Sequence, residues 1–271
     1  MVLTWRQMGD IWWADLVLNT ARYAAFAILT WAILWIALKA PLSGRKIREQ
    51  SPSFGQMATE FLVSLRTIAV FATTTVAMSL LSKSGAYPMS HAAKAWGPAW
   101  VAVSFCLMVL GHDAYYYWTH RAMHHRMLFR ATHIRHHRSH NPSPFTAYSF
   151  NLGEAALMVV FVALWPLVVP TPWLVIPLFI LHQIVRNTLA HSGYELMPAR
   201  ADGRPMFDWL TTTTHHDQHH AEPGSNFGFY FTWWDRWMGT ENPDYHAAFA
   251  RAVRKPLLSD APAEAMAEAN A

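Results

Sequence analysis

Long apolar runs alternate along the chain with short basic or histidine-rich stretches. From Tyr23 to Leu38 no charge appears, and Arg22 and Lys39 bracket the run where their side chains can snorkel to an interface, so a first membrane span is predicted over residues 20–39. Pro41 and Gly44 stop it. Ahead of it, residues 1–19 combine Trp5, Trp12 and Trp13 with Asp10 and Asp15 and predict an interfacial helix with a tryptophan belt. Residues 61–82 form a second apolar segment, whose Arg66 is expected to snorkel toward the basic loop 39–60, and a third runs from Ala95 to Gly111. Residues 155–169 and 173–190 are apolar around Pro170, Thr171 and Pro172. Two upright spans need about 20 residues each, so this stretch predicts a hairpin dipping partway or two oblique helices, either of which returns the chain to the side it left. The expected fold is an all-α integral membrane protein of about four transmembrane helices or helical hairpins with a cytosolic histidine-rich helical cap. Its divisions are an interfacial helix over 1–19, transmembrane helices over 20–111, a histidine-rich region over 112–250 carrying the hairpin 155–190, and a disordered tail over 251–271.

Composition supports the membrane assignment. Of the 271 residues, 53% are hydrophobic and only 14% charged, which sets aside the length expectations of soluble domains. The net charge of +4 comes from basic residues that flank apolar segments, which points to anionic lipid headgroups and away from nucleic acid. Lys39, Arg45, Lys46 and Arg48 place the loop 39–60 in the cytoplasm by the positive-inside rule, 83–94 outside, and the first histidines in the cytoplasm, in agreement with the arginines between 121 and 138. The single cysteine, Cys106, excludes a disulfide framework and a thiolate metal site.

Eight of the 16 histidines fall within residues 112–140. His120 and His124 are four apart; His133, His136 and His137 follow as i, i+3, i+4; His216, His219 and His220 repeat that spacing. On helices each set projects its imidazoles from one face. Three such sets exceed what one four-coordinate metal can use and predict a dinuclear site. Zinc has no redox chemistry, whereas iron beside a membrane would activate dioxygen and oxidise a C–H bond. His191 is the favoured further ligand, because Ser192-Gly193 lets the backbone turn toward the site. At 100° per residue, Asp113 lies about 20° from both His120 and His124 and is the expected acceptor for the second ring N–H of a ligand. His112 lies about 80° and 120° from them and is expected to pack or hydrogen-bond. His125 points about 100° away from His124, His140 marks a loop, His215 falls outside the repeated spacing, and His91 and His246 stand alone and are expected to be exposed.

These residues resemble the fatty acid hydroxylase and sterol desaturase superfamily of membrane di-iron oxygenases. The likeness rests on Asp113, Tyr117 and His120-Arg121-Ala122-Met123-His124; on His133-Ile134-Arg135-His136-His137 with Pro142 and Pro144; and on His216-Asp217-Gln218-His219-His220. Asn226-Phe227-Gly228 and the run Trp234 to Thr240 are similar to the family's ending, and His191-Ser192-Gly193-Tyr194 resembles the segment that supplies a further histidine in sterol-type members. Many relatives carry a His-Pro pair and then a glutamate after the second box, where this chain has Asn151-Leu152-Gly153-Glu154. The resemblance implies a catalytic domain over 112–250 in which two irons held by these nine histidines use O2 to hydroxylate a lipid drawn from the bilayer. Zinc is an alternative occupant in a purified sample. Electrons would come from a separate reductase or ferredoxin-type donor, since no His-Pro-Gly-Gly haem signature is present. Desaturation by the same site is the alternative outcome, and a membrane haem electron carrier a more distant one.

Overall fold

The computed structural model describes residues 3–85, 96–255 and 257, so His91, Lys94 and most of the expected tail lie outside the described residues. Among the described residues the regular elements are helical, and extended pairing is limited to three isolated bridges, such as Lys46 with Tyr194.

Helix α1 (Trp5–Trp31) opens on a capping box in which Thr4 accepts from the Gln7 N–H and the Gln7 side chain accepts from the Thr4 N–H. It continues through a π-helical turn, Ala32–Ala37. The residues expected as an interfacial helix and a separate first span therefore form one rod. No proline interrupts them, and Gly9 alone does not break a helix. Helix α2 (Phe54–Lys83) is capped by Ser53, whose hydroxyl accepts from the Gln56 N–H. These two, Trp5–Ala37 and Phe54–Lys83, are long and apolar enough to cross a bilayer, with mean hydropathies of 1.4 and 1.6. Among the described residues, these two are fewer than the about four transmembrane helices or helical hairpins that the sequence predicts. The third apolar run is only the first half of α3 (Ala99–Met123), which carries on through His120. The expected hairpin becomes α6 (Leu152–Val168) and α7 (Val175–Ala190), of 17 and 16 residues. Between α3 and α6 lie two single-turn helices, α4 (Phe129–Thr132) and α5 (Ile134–His137), and a 3₁₀ turn, Pro144–Tyr148. Three short helices follow α7: α8 (Thr213–Ala221), α9 (Trp233–Met238) and α10 (Tyr245–Ala252).

The 3₁₀ turn is the hub on which the helices converge. Tyr23 of α1 stacks between Phe61 of α2 and Tyr148, with centroids at 5.6 and 5.5 Å, and its hydroxyl donates to the Phe145 carbonyl at 2.8 Å. Glu60 of α2, 1% exposed, accepts from Ser139 at 2.6 Å, Thr146 at 3.0 Å, Ser143 at 3.1 Å and Gln56 Nε2 at 2.8 Å. A buried carboxylate is tolerated when its lone pairs are all engaged, and here they fasten the segment that directly follows the second histidine set. Arg66, expected to reach toward the basic loop, donates instead to the Phe150 carbonyl at 2.7 Å.

Helices α3 and α6 approach closely at Gly111, where an added Cβ would stand 2.3 Å from the Trp165 ring. Gly111→Ala should therefore lower stability by about 1–3 kcal/mol through overpacking, offset in part by a helix-propensity gain of about 1 kcal/mol. Thermal unfolding in detergent should show the loss, and Trp165→Leu in the same chain should restore most of it.

Candidate metal centre

His120 lies in the last turn of α3, and His124 caps that helix. The second set does not sit on one helix face as expected. His133 occupies the break between α4 and α5, with φ −136°, because elements from α6 hold the chain there. Asn151 Oδ1 accepts from the Arg135 N–H at 2.6 Å, and Glu154 Oε1 faces His133 Nδ1 at 3.0 Å. The break turns His133 and His137 toward the first pair and His136 the other way. On α8, His216 and His220 point to one side and His219 to the other. All nine histidines expected as ligands are thus brought together, but as two groups that cut across the three sets. His120, His124, His133, His137 and His219 form one; His136, His191, His216 and His220 form the other, and within each the ligand atoms lie within 4.8 Å of one another.

Second hydrogen bonds orient the rings. His120 Nδ1 donates to the Phe227 carbonyl at 2.9 Å, His219 Nδ1 to Ser225 at 2.6 Å and His191 Nδ1 to Asn187 at 2.8 Å. A carbonyl oxygen only accepts, so these rings carry their proton on Nδ1 and aim the Nε2 lone pair inward. His120 Nε2 meets His133 Nε2 at 2.9 Å, and His219 Nε2 meets His137 Nε2 at 3.0 Å. In the other group His191 Nε2 lies 3.0 Å from His216 Nε2 and 3.3 Å from those of His136 and His220. Lone pairs converging at such distances repel unless a cation lies among them, and an all-imidazole donor set suits iron, zinc or copper. The residues fit a pair of metal ions.

Burial is the main cause, and the neighbouring imidazoles a lesser one, that keeps these rings neutral. His219 is pushed down to about 4, and His120, His133, His136, His216 and His220 well below the ordinary 6.5. His191 is likewise lowered to about 4. Neutral imidazole is the ligating form.

Asp113 requires a correction. Its Oδ1 accepts from the Tyr230 and Phe231 N–H groups at 2.8 and 3.2 Å and orients no ligand ring. The helical angle between Asp113 and the first pair takes no account of the segment 227–231, which passes alongside α3 and supplies the carbonyl to His120. His246 is not exposed as expected: it is half-buried, with Nε2 2.8 Å from Asp208 Oδ1. His215 is buried 3.6 Å from Asp235 and belongs to neither group. His125 and His140 are exposed, and His112 packs among aromatic rings.

Three carboxylates do work that the spacing of histidines does not announce. Glu154 stands behind His133. Asp235 accepts from the Phe227 and Gly228 N–H groups and from the Thr240 hydroxyl, each at 2.8 Å, and so fixes the carbonyl that orients His120. Gly228 is the visible signal, since an added Cβ would stand 2.8 Å from Asp235 Oδ2. Glu195 accepts from the Thr214 N–H at 2.8 Å and seats the start of α8.

An apolar cavity of about 630 Å³ lies between α1, α2, α6 and α7, with Phe71, Met158, Val162, Phe179 and Ile180 in its wall. It reaches Phe150, whose ring packs on His136 at 5.4 Å.

The fold and site define a helical protein with paired histidine clusters beside a lipid-sized apolar cavity. The chain belongs to the fatty acid hydroxylase family, whose model matches residues 105–240. It is 30% identical over 145 residues to human lathosterol oxidase, covering 53% of this chain and 46% of that protein. To Delta(7)-sterol 5(6)-desaturase ERG3B of Gibberella zeae it is 30% identical over 149 residues, covering 54% and 43%. To methylsterol monooxygenase 1 of Rattus norvegicus it is 27% identical over 147 residues, covering 50% and 45%. The match therefore spans about half the length of these relatives. No solved structure gives a significant match.

A pH dependence follows from the depressed histidines. Their folded values lie below the unfolded 6.5, so the unfolded chain binds more protons once the pH falls under 6.5, and stability present above that value is lost on the way toward 4. The metal-free protein in detergent should melt at progressively lower temperature between pH 6.5 and 5. A melting temperature that stays level across that window would count against neutral, buried rings.

Proposed function

We propose that the protein is an integral membrane oxidoreductase that uses O2 to hydroxylate an unactivated C–H bond of a lipid, with its centre on the cytoplasmic side. The observation that carries this reading is the contact between Phe150 and His136, which sets a histidine cluster at the end of an apolar cavity open to a lipid chain. His120, His124, His133, His137 and His219 would hold one iron and His136, His191, His216 and His220 the other. Bound iron would supply activation of dioxygen and oxidation of the C–H bond, with two electrons from a separate reductase or ferredoxin-type donor.

The chain's own residues bind, orient and exclude water. Asn187, Ser225 and Phe227 fix ring tautomers through their carbonyls, and the buried Glu154 stands 3.0 Å from His133 Nδ1, behind that ring. Arg48, in the basic connector between α1 and α2, donates to Asp217 at 2.8 Å and ties α8 to that connector. Phe71, Met158 and Phe179 line a dry passage in which an apolar chain would be held. Desaturation is a second reading with its own support, since the similar proteins include a sterol desaturase beside a methylsterol monooxygenase.

Lipid mass spectrometry of host membranes with and without the protein, under air, tests the reaction. A new O2-dependent species heavier by one oxygen marks hydroxylation, and one lighter by two hydrogens marks desaturation. Neither product in membranes that contain fully metal-loaded protein and a supplied electron donor would refute both. The two-cluster assignment has a separate test. His219→Ala should lower bound iron from about two per chain toward one, and Glu154→Ala should weaken metal affinity about 10–100-fold. Full iron retained by His219→Ala, measured by elemental analysis, would remove His219 from the ligand set.

A further inference from the structure

One polar side chain in the cavity wall, His112, has a buried ring nitrogen without a hydrogen bond among the described residues. His112 stands two turns before His120 on α3, lines the cavity and is 3% exposed. Its ring is boxed by Phe161, Phe179, Tyr230 and Phe229, with centroids at 5.0, 5.1, 5.4 and 6.0 Å. Its buried Nδ1 meets no hydrogen-bond partner among the described residues. Asp113 beside it gives its Oδ1 to the Tyr230 and Phe231 amides.

Leaving a buried polar ring unpaired is costly, and a phenylalanine or leucine would fill the same aromatic box without that cost. Several other polar side chains along the cavity are already engaged. Asn19 Nδ2 donates to Asp15 at 2.8 Å, Thr74 to the Val70 carbonyl at 3.1 Å, Ser79 to Thr75 at 2.8 Å, and Gln183 accepts from Tyr148 at 2.8 Å. A molecule seated in the cavity could supply the partner that His112 Nδ1 lacks.

We propose that His112 is a specificity-determining residue that hydrogen-bonds a hydroxyl group carried by the bound lipid. The proposal rests on the cavity being the lipid's place in the reading above. The aromatic box presents no cation to His112's ligand, which argues against a carboxylate or phosphate at this point. A hydroxyl both donates and accepts, so either tautomer of a neutral imidazole satisfies it. A plain hydrocarbon chain would leave the ring as unpaired as it is without a ligand.

The test is competition binding to the purified, metal-loaded protein in detergent. Deuterated octadecan-1-ol is displaced either by octadecan-1-ol or by 1-fluorooctadecane, which has the same shape and no hydroxyl, with retained lipid read by mass spectrometry. The wild type should prefer the alcohol by about tenfold, the scale of one hydrogen bond to an otherwise unpaired buried group. His112→Phe should lose that preference while keeping its iron content and melting temperature, and His112→Gln should keep part of it. Equal displacement by the two probes in the wild type overturns the proposal whether or not either variant folds. An undiminished preference in folded His112→Phe overturns it as well. Failure of the reaction itself would show as absence of oxidised lipid from host membranes, and would leave the binding preference in place.

Discussion

Nine uncharged imidazoles packed with their Nε2 atoms facing inward form an arrangement that protein alone does not favour. The inward lone pairs have no protein donors, and three of the rings, His191, His219 and His120, are kept from rotating away by the carbonyls of Asn187, Ser225 and Phe227, while Glu154 faces the outer nitrogen of His133. Protonation would relieve the crowding, but burial opposes it. The rest of the chain can be understood as the frame that keeps this unfavourable arrangement in place until a cation resolves it.

That frame is spread over the chain. The candidate ligands come from the end of α3, from the broken α4–α5 segment, from the end of α7 and from α8. The Gly193 turn, at φ +76°, brings the chain after His191 beneath Trp35 of the α1 rod, whose Nε1 donates to the Ser192 carbonyl at 2.9 Å. Asp235, held between α9 and the segment 227–228, positions a carbonyl and touches no ligand ring of either cluster. Loss of any one support would loosen a ring while leaving the donor atoms chemically intact.

Much of this was legible in the sequence, for a physical reason. Ligand identity resides in residue type and short-range spacing, so the histidine sets and the turn after His191 could be read directly from the chain. The partition between two clusters could not. A helical wheel assumes an unbroken helix, and the break at His133 is imposed by Asn151 and Glu154, which lie later in the chain. Asp113 was misread for the same reason: its partners, the amides of Tyr230 and Phe231, are remote in sequence. Glu60 stood within the approach to an apolar helix, where an acid resembles an interfacial residue, and only the folded loop with Ser139, Ser143 and Thr146 reveals what it binds.

Glu60 has a consequence for depth. Phe71 and Thr75 in the cavity wall lie on the same unbroken helix as this carboxylate, which is fastened to the loop behind His137. The helix is therefore a ruler with its zero mark at the histidine clusters. On the proposed function, a lipid seated against that wall would be registered to the histidine clusters by backbone geometry, independently of where the bilayer surface happens to be. Membranes of different thickness would tilt or shift the whole molecule and leave unchanged which carbon is presented.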